Sequence, residues 1–296
     1  MTYNIRVYGE ADDIVDAFFG NYEGWGGRTP SNALATIVEL QPDVVGLQED
    51  NNKLYAEYSK VSGLSDYTRI TDKGNGDEGN EILYNSKAGV TLVKKNGRNQ
   101  TGIVYFKDLA NTYADESAVL AADFSKDTKG DNSKGRFFRW AILEKDGVQY
   151  LVVNTHLHYR ASGTSESSDA INKNLRKAQA TLLRLWLVSM LDECPNQIVM
   201  GDMNSQQDAK EFAGFTLGTG ALTEARDAAL VKGDVGGTLV IGDFTTREKY
   251  IYDHVLYTAD SLKAVEYSVI DNDDPGASTL YPSDHLPVYS KFVCYN

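Results

Sequence analysis

Cysteine is nearly absent from this 296-residue chain, with only Cys194 and Cys294 present. Neither stands in a CxxC pair or at a zinc-type spacing, so a structural zinc and a disulfide-built scaffold are not expected. Two free thiols are one reading, and a single disulfide in an exported protein is the other. Histidine is also scarce, at four residues. No run approaches the roughly 18 apolar residues that cross a bilayer, so no transmembrane segment is expected. No basic-then-apolar leader opens the chain either. A soluble protein is expected, and export by a signal outside this chain stays open. Basic clusters are missing as well: Lys and Arg are scattered, and Lys94-Lys95 is the densest pair. The formal net charge is -13 and the pI about 4.8. An acidic surface repels polyanions at long range, and non-specific nucleic-acid binders carry a basic stripe. A nucleic-acid partner is therefore not favoured, although bound divalent cations can offset the deficit locally.

What is present is an ordinary globular composition, 42% apolar, with no internal repeat and no low-complexity linker. Residues 1–296 read as a single domain and a monomer. Short β-rich runs alternate with helical ones. Met1 to Val7 reads as a strand. Ser31 to Leu40 reads as a helix, with Thr29, Pro30 and Ser31 as start signals. Val44 to Leu47 reads as a buried strand. Glu81 to Tyr84 and Ala88 to Val93 read as a hairpin across Asn85-Ser86-Lys87. Phe137 to Leu143 and Tyr150 to Thr155 read as a second hairpin, turning at Lys145-Asp146-Gly147. Asn172 to Leu191 has helical spacing of Leu175, Ala178, Leu182, Leu185, Trp186 and Met190. Ile198 to Met200, Tyr250 to Tyr257 and Leu286 to Val293 complete the strands. Residues 71–79 and 125–135 read as surface loops. The pattern suggests two sheets packed face to face with helices outside.

Four runs carry chemistry, each a buried strand ending in polar residues. In Gly201-Asp202-Met203-Asn204, a carboxylate and a carboxamide two apart share a direction on an extended chain. An Asx turn closing the strand would produce the same pattern. In Asn154-Thr155-His156-Leu157-His158, two of the four histidines share a direction if the strand continues. A zinc site is an alternative there, but no third His or Cys lies near in sequence. In Ser283-Asp284-His285, an acid and a histidine precede a strand, and Asp253-His254 sits inside another apolar strand. Asp253 is costly to bury unpaired, and His285 is its expected partner. In Leu47-Gln48-Glu49, a carboxylate ends a strand and suits a hard divalent cation. Oxygen ligands, amides for oxyanions and a His–Asp pair are what phosphoester hydrolysis requires.

The order of these motifs resembles the endonuclease/exonuclease/phosphatase, or DNase I-like, superfamily. The matching pieces are Thr2 to Arg6, Leu47-Gln48-Glu49, Asn154 to Leu157, Gly201 to Asn204, Asp253 within its strand and Ser283-Asp284-His285. The resemblance implies an α/β fold, a four-layered α/β sandwich of two packed mixed sheets flanked by helices. It implies Mg2+ or Mn2+ at Glu49, with Asn4 beside it and Asp284 completing the shell or orienting a neighbour. Asp202 would orient or deprotonate the attacking water, and Asn204 would hold that water or a phosphate oxygen. His285, held by Asp253, would contact the scissile phosphate, and His156 would bind it or assist the leaving group. Arg136 or Arg139 would bind phosphate bidentately, and Asn80 stands where some members contact substrate. His158 and His254 depart from the pattern and are candidates for substrate recognition.

The expected function is hydrolysis of a small or lipid-derived phosphoester, such as an inositol phosphate or a phosphoinositide. The 18 tyrosines and the acidic charge suit a small-molecule pocket. The alternatives are a DNase I-like nuclease, whose groove would use Asp66 to Lys73 and Lys94 to Arg98, and a binding module without catalysis.

Overall fold

The two-residue alternation of side chains along strands decides which residues of this chain face one another. The structure, a computed structural model, describes residues 1–5, 30–50, 61–70, 79–127, 135–159, 166–241, 246–271 and 283–295. In chain order its first half contains β1 (Thr2–Asn4), α1 (Pro30–Leu40), β2 (Val44–Asp50), β3 (Tyr67–Ile70), β4 (Gly79–Asn85), β5 (Thr91–Leu92), β6 (Thr101–Tyr105), α2 (Phe106–Thr112) and β7 (Phe137–Lys145). There follow β8 (Val148–His156), α3 (Glu166–Ser189), β9 (Gln197–Asp202), β10 (Thr223–Glu224), β11 (Val231–Lys232), β12 (Asp253–Tyr257), β13 (Leu262–Val269) and β14 (Val288–Cys294). One seven-stranded sheet has the order β11-β13-β14-β1-β2-β4-β3. The other, also seven-stranded, runs β10-β12-β9-β8-β7, with β5 and β6 sharing the outer edge of β7. Both are mixed: β1 runs parallel to β2 and β8 parallel to β9.

Alternation sorts the apolar residues into three cores. Ile82, Val152, Met200, Val255, Ala264, Tyr267 and Val288 fill the space between the sheets. Leu151, Val153, Val199 and Leu256, of opposite parity, meet Leu182, Leu183 and Leu187 of α3. Tyr3, Val45 and Leu47 meet Leu34 and Ile37 of α1. The result is a four-layered sandwich of helix, sheet, sheet and helix.

At one end of the sandwich the apolar filling gives way to polar pairs that cross between the sheets. Asn154 of β8 accepts from Gln48 Nε2 of β2 at 2.6 Å. Its own amide donates to the carbonyls of Leu47 and Glu81, both at 2.8 Å. It can reach because Gly46 has no side chain: a Cβ there would lie 2.7 Å from Asn154 Oδ1. Asn80 Nδ2 donates to the Phe137 carbonyl at 2.9 Å. Arg139 Nε donates to the Asn80 carbonyl at 3.0 Å.

Several local readings need correction. The turn between β7 and β8 is as expected, tightened to Asp146 and Gly147 at φ 52° and 78°. That left-handed pair matches strand twist in a two-residue hairpin. The hairpin expected from Glu81 to Val93 does not form. β4 lies between β2 and β3 in one sheet, whereas β5 pairs with β7 in the other. Turn residues between apolar runs signal a reversal, but they do not say which neighbour each run pairs with. The long helix starts earlier than expected, at Glu166, and the strand expected from Tyr250 starts only at Asp253. Both cysteines are free. Most of the two expected surface loops, at 71–78 and 128–134, lies outside the described residues. Among the described residues no helix is long and apolar enough to cross a membrane.

Asn154→Ala strips partners from Gln48 and from two buried carbonyls. A loss of about 3 kcal/mol in urea unfolding, with unchanged m, is expected. A loss below about 1 kcal/mol would show that the clasp does not hold the sheets together.

Candidate active site

Asp202 ends β9, and Gly201 is what lets it arrive. A Cβ at position 201 would collide with the Thr155 carbonyl oxygen, so only glycine lets β9 run this close to β8. The ladder then sets Asp202 opposite His156 on one side and opposite Asp253 on the other. The facing sheet brings Asn4 from the end of β1, Glu49 from β2 and His285 from just before β14.

Glu49 needs a device to face this way. Plain alternation would send it toward α1 with Val45 and Leu47. Instead the β2–β4 register slips between Gln48 and Asp50, and Glu49 takes φ 58°. A bulge re-aims a side chain in this manner. Asn204 is also left-handed, at φ 48°. Such conformations in non-glycine residues cost of order 1–3 kcal/mol each and persist only where surrounding contacts enforce them.

The polar contacts converge on Asp202. Its Oδ1 accepts from the Asn204 backbone N–H at 2.8 Å. Its Oδ2 accepts from Asn4 Nδ2 at 3.0 Å, and the same amide donates to Glu49 Oε1 at 3.1 Å. His156 Nε2 and His285 Nε2 lie 3.5 and 3.7 Å from Oδ2, beyond an ordinary hydrogen bond. His285 Nδ1 lies 2.7 Å from Asp253 Oδ2. Asp253 is seated by the Thr238 hydroxyl, which accepts the N–H groups of Tyr252 and Asp253 at 3.0 and 3.2 Å. The Ser283 hydroxyl donates to the Asn4 carbonyl at 2.8 Å, tying the approach to His285 onto β1. Asn204 Nδ2 donates to the Leu157 carbonyl at 3.3 Å.

Burial sets the two charges against each other. It pushes the Asp202 carboxyl up to about 6, with the Asp253 charge adding and His285 opposing. Burial would lower His285, but the carboxylates of Asp253 and Asp202 outweigh it and raise the imidazole well above its ordinary value. At neutral pH the site holds an anionic Asp202 facing a cationic His285.

The donor chemistry fits a divalent cation. Asp202, Asp253 and His285 offer ligand atoms within 4.8 Å of one another. Within that trio Asp253 and His285 already form a close hydrogen-bonded pair. On the side of Asp202 toward Glu49 two carboxylates share the Asn4 amide nitrogen, and carboxylate oxygens are what a hard cation prefers. Asp284 is half-buried beside His285, with the Ser283 hydroxyl 3.4 Å from its carboxylate.

Not every candidate joins this cluster. His254 is fully buried on the opposite face of β12, because residues 253 and 254 alternate. Its ring pairs with Glu224 at 3.2 Å and lies against Phe212, so it is not a substrate contact. His158 does not share the direction of His156, because β8 ends at His156. It turns to α3, where Asn172 Oδ1 is 3.1 Å from its Nε2 and Gln179 accepts its backbone N–H. Arg139 is fully buried and paired with Glu81 at 3.4 Å, so it braces the sheets rather than meeting substrate. Asn80 joins the same seam through Nδ2, and its Oδ1 has no hydrogen-bond partner among the described residues. Arg136 is nearly buried at the start of β7, its backbone N–H given to Asp127 at 3.3 Å. Sequence reasoning missed Thr238 and Glu224. Each acts through a fold contact that no local pattern marks.

The folded-state value of Asp202 lies above its ordinary 3.8. The stability tied to its neutral form is complete below about pH 4 and is lost as pH rises through about 6. Asp202→Asn removes this loss. Urea unfolding in EDTA between pH 4 and 7 is expected to decline less in the variant than in the parent. Equal declines would overturn the burial argument.

Residues 1–285 match the endonuclease/exonuclease/phosphatase family. No curated protein matches the chain by sequence. Among solved structures, a mannosyl-6-phosphatase of Bacteroides thetaiotaomicron is similar at a TM-score of 0.72 and 18% identity, covering 99% of this chain and 98% of that one. A protein of unknown function from Enterococcus faecalis is similar at 0.68 and 16% identity, covering 99% and 98%. The human nocturnin catalytic domain is similar at 0.60 and 17% identity, covering 90% and 86%. At these identities the likeness bears on the fold alone. The match along the sequence carries more: the chain belongs to the endonuclease/exonuclease/phosphatase family, whose members are metal-dependent phosphoester hydrolases, and it is an enzyme of that class.

Proposed function

We propose that the enzyme hydrolyses the phosphate ester of a small polyhydroxylated molecule, such as a sugar phosphate, an inositol phosphate or a phosphoinositide headgroup. The observation that carries this reading is the opposed pair of Asp202 and His285, 3.7 Å apart at the buried end of two sheets. The net charge of -13 supports a small substrate over a long polyanion. The full-length likeness to a mannosyl-6-phosphatase is consistent with it.

Glu49 and Asn4, together with Asp284, would hold a divalent cation, magnesium or manganese. When bound it supplies positive charge against the phosphate oxygens. Asp202 takes the proton of the attacking water, since its carboxylate is anionic at neutral pH yet raised enough to accept. Asn204 orients that water. His285 keeps its proton on the strength of Asp253 and donates from Nε2 to the phosphate oxygen on which charge develops. His156, on the other side of Asp202 Oδ2, binds the phosphate or steadies the leaving oxygen. Arg136, at the start of β7, and Asn80, through its Oδ1, are proposed as further substrate contacts.

Asp202→Ala and His285→Ala should each lower kcat/KM by roughly 10³-fold while leaving the fold intact. Full activity in both variants would sink the site. EDTA should abolish turnover, and added magnesium or manganese should restore it. A substrate panel of sugar phosphates, inositol phosphates, bis-p-nitrophenyl phosphate and plasmid DNA should give the highest kcat/KM on a small phosphomonoester. Faster cleavage of DNA would replace this reading with a nuclease.

A further inference from the structure

His254 has no direct role in the chemistry proposed above, yet it is a fully buried imidazole adjacent to Asp253. Its Nδ1 faces Glu224 Oε2 at 3.2 Å. Its Nε2 faces two backbone carbonyls, Ser205 at 2.8 Å and Ile251 at 3.2 Å. A carbonyl only accepts, so Nε2 must carry a proton. The carboxylate calls for a proton on Nδ1 too. Burial would strip one of them, but the Glu224 charge and these hydrogen bonds outweigh it and raise the imidazole above its ordinary value. The ring packs against Phe212, with centroids 4.6 Å apart and planes tilted by 47°.

The two carbonyls belong to different segments. Ser205 follows Asn204 on the turn after β9, and Ile251 leads into β12 two residues before Asp253. A second bond, from Met203 N–H to the Tyr252 carbonyl at 2.7 Å, joins the same segments. Asn204 is held between them in the left-handed region at φ 48°. Asparagine visits that region at modest cost, but it stays there only under constraint.

We propose that His254, paired with Glu224, is a positioning residue that fixes Asn204 by clamping the Ser205 carbonyl to the lead-in of β12. The clamp sets where the Asn204 carboxamide points, and so where the attacking water sits. This rests on the reading of Asn204 as the residue that orients that water.

The test is a double-mutant cycle on the magnesium-loaded enzyme with its best small phosphomonoester. His254→Gln should lower kcat 10- to 100-fold with KM nearly unchanged. In an Asn204→Ala background the same change should add less than threefold, because the residue it positions is gone. An unchanged kcat, a rise confined to KM, or additive losses would overturn the proposal. If Asn204→Ala alone keeps full activity, the reading of Asn204 fails, and that result is separate from any effect at His254. Side-chain nitrogen NMR of the parent enzyme gives a readout independent of whether the variants fold. Nε2 of His254 should carry a proton at pH 7, and that proton should be protected from exchange. An unprotonated Nε2 cannot donate to Ser205, and the clamp would be refuted.

Discussion

The site depends on polar pairs that close only when the two sheets pack. A carboxylate or amide taken out of water is costly unless it finds a partner. Asn4 comes from one sheet and Asp202 from the other; so do Gln48 and Asn154, and Asn80 and Phe137. His285 likewise reaches across to Asp253. Some groups also find partners in their own sheet, as Asn4 does in Glu49, but these cross-sheet bonds form only on docking. Docking the sheets and assembling the site are therefore one event, and the fold supplies the rigidity that a reacting geometry needs.

That arrangement carries costs the rest of the molecule offsets. Asp202 sits nine-tenths or more buried with a raised carboxyl, and two non-glycine residues at the site are left-handed. Three apolar cores surround this end of the sandwich and hold it closed. Local rules of sequence and conformation are broken where chemistry is required and kept elsewhere.

The same burial acts in opposite directions on neighbouring groups. It makes Asp202 a better base and would strip the proton from His285, were Asp253 not 2.7 Å from its ring. Glu224 does for His254 what Asp253 does for His285, one residue away and on the other face of β12. Two adjacent strand residues thus serve two different histidine–carboxylate pairs. One pair faces Asp202, and the other faces the turn that carries Asn204.

The strand ends were legible in the sequence because period-two alternation and abrupt polar endings are local properties. Ile198 to Asp202 and Leu151 to His156 announced themselves, and so did the turn at Asp146-Gly147. The family was legible for a related reason: its motifs are short, and each stands at the end of one element. The parity of Asp253 over His254 was implicit as well, since adjacent strand residues cannot share a face. Other features depended on where chains meet. Alternation alone points Glu49 away from the site, and only the bulge opposite Asn80 and Gly79 returns it. His158 looked like a companion of His156 because nothing local shows that β8 stops there. Arg139 looked like a phosphate ligand because its partner, Glu81, lies in the facing sheet. Local sequence determines which residues a strand delivers to its end. Tertiary packing decides which of them meet, because pairing across sheets is set by register and burial between segments far apart in the chain.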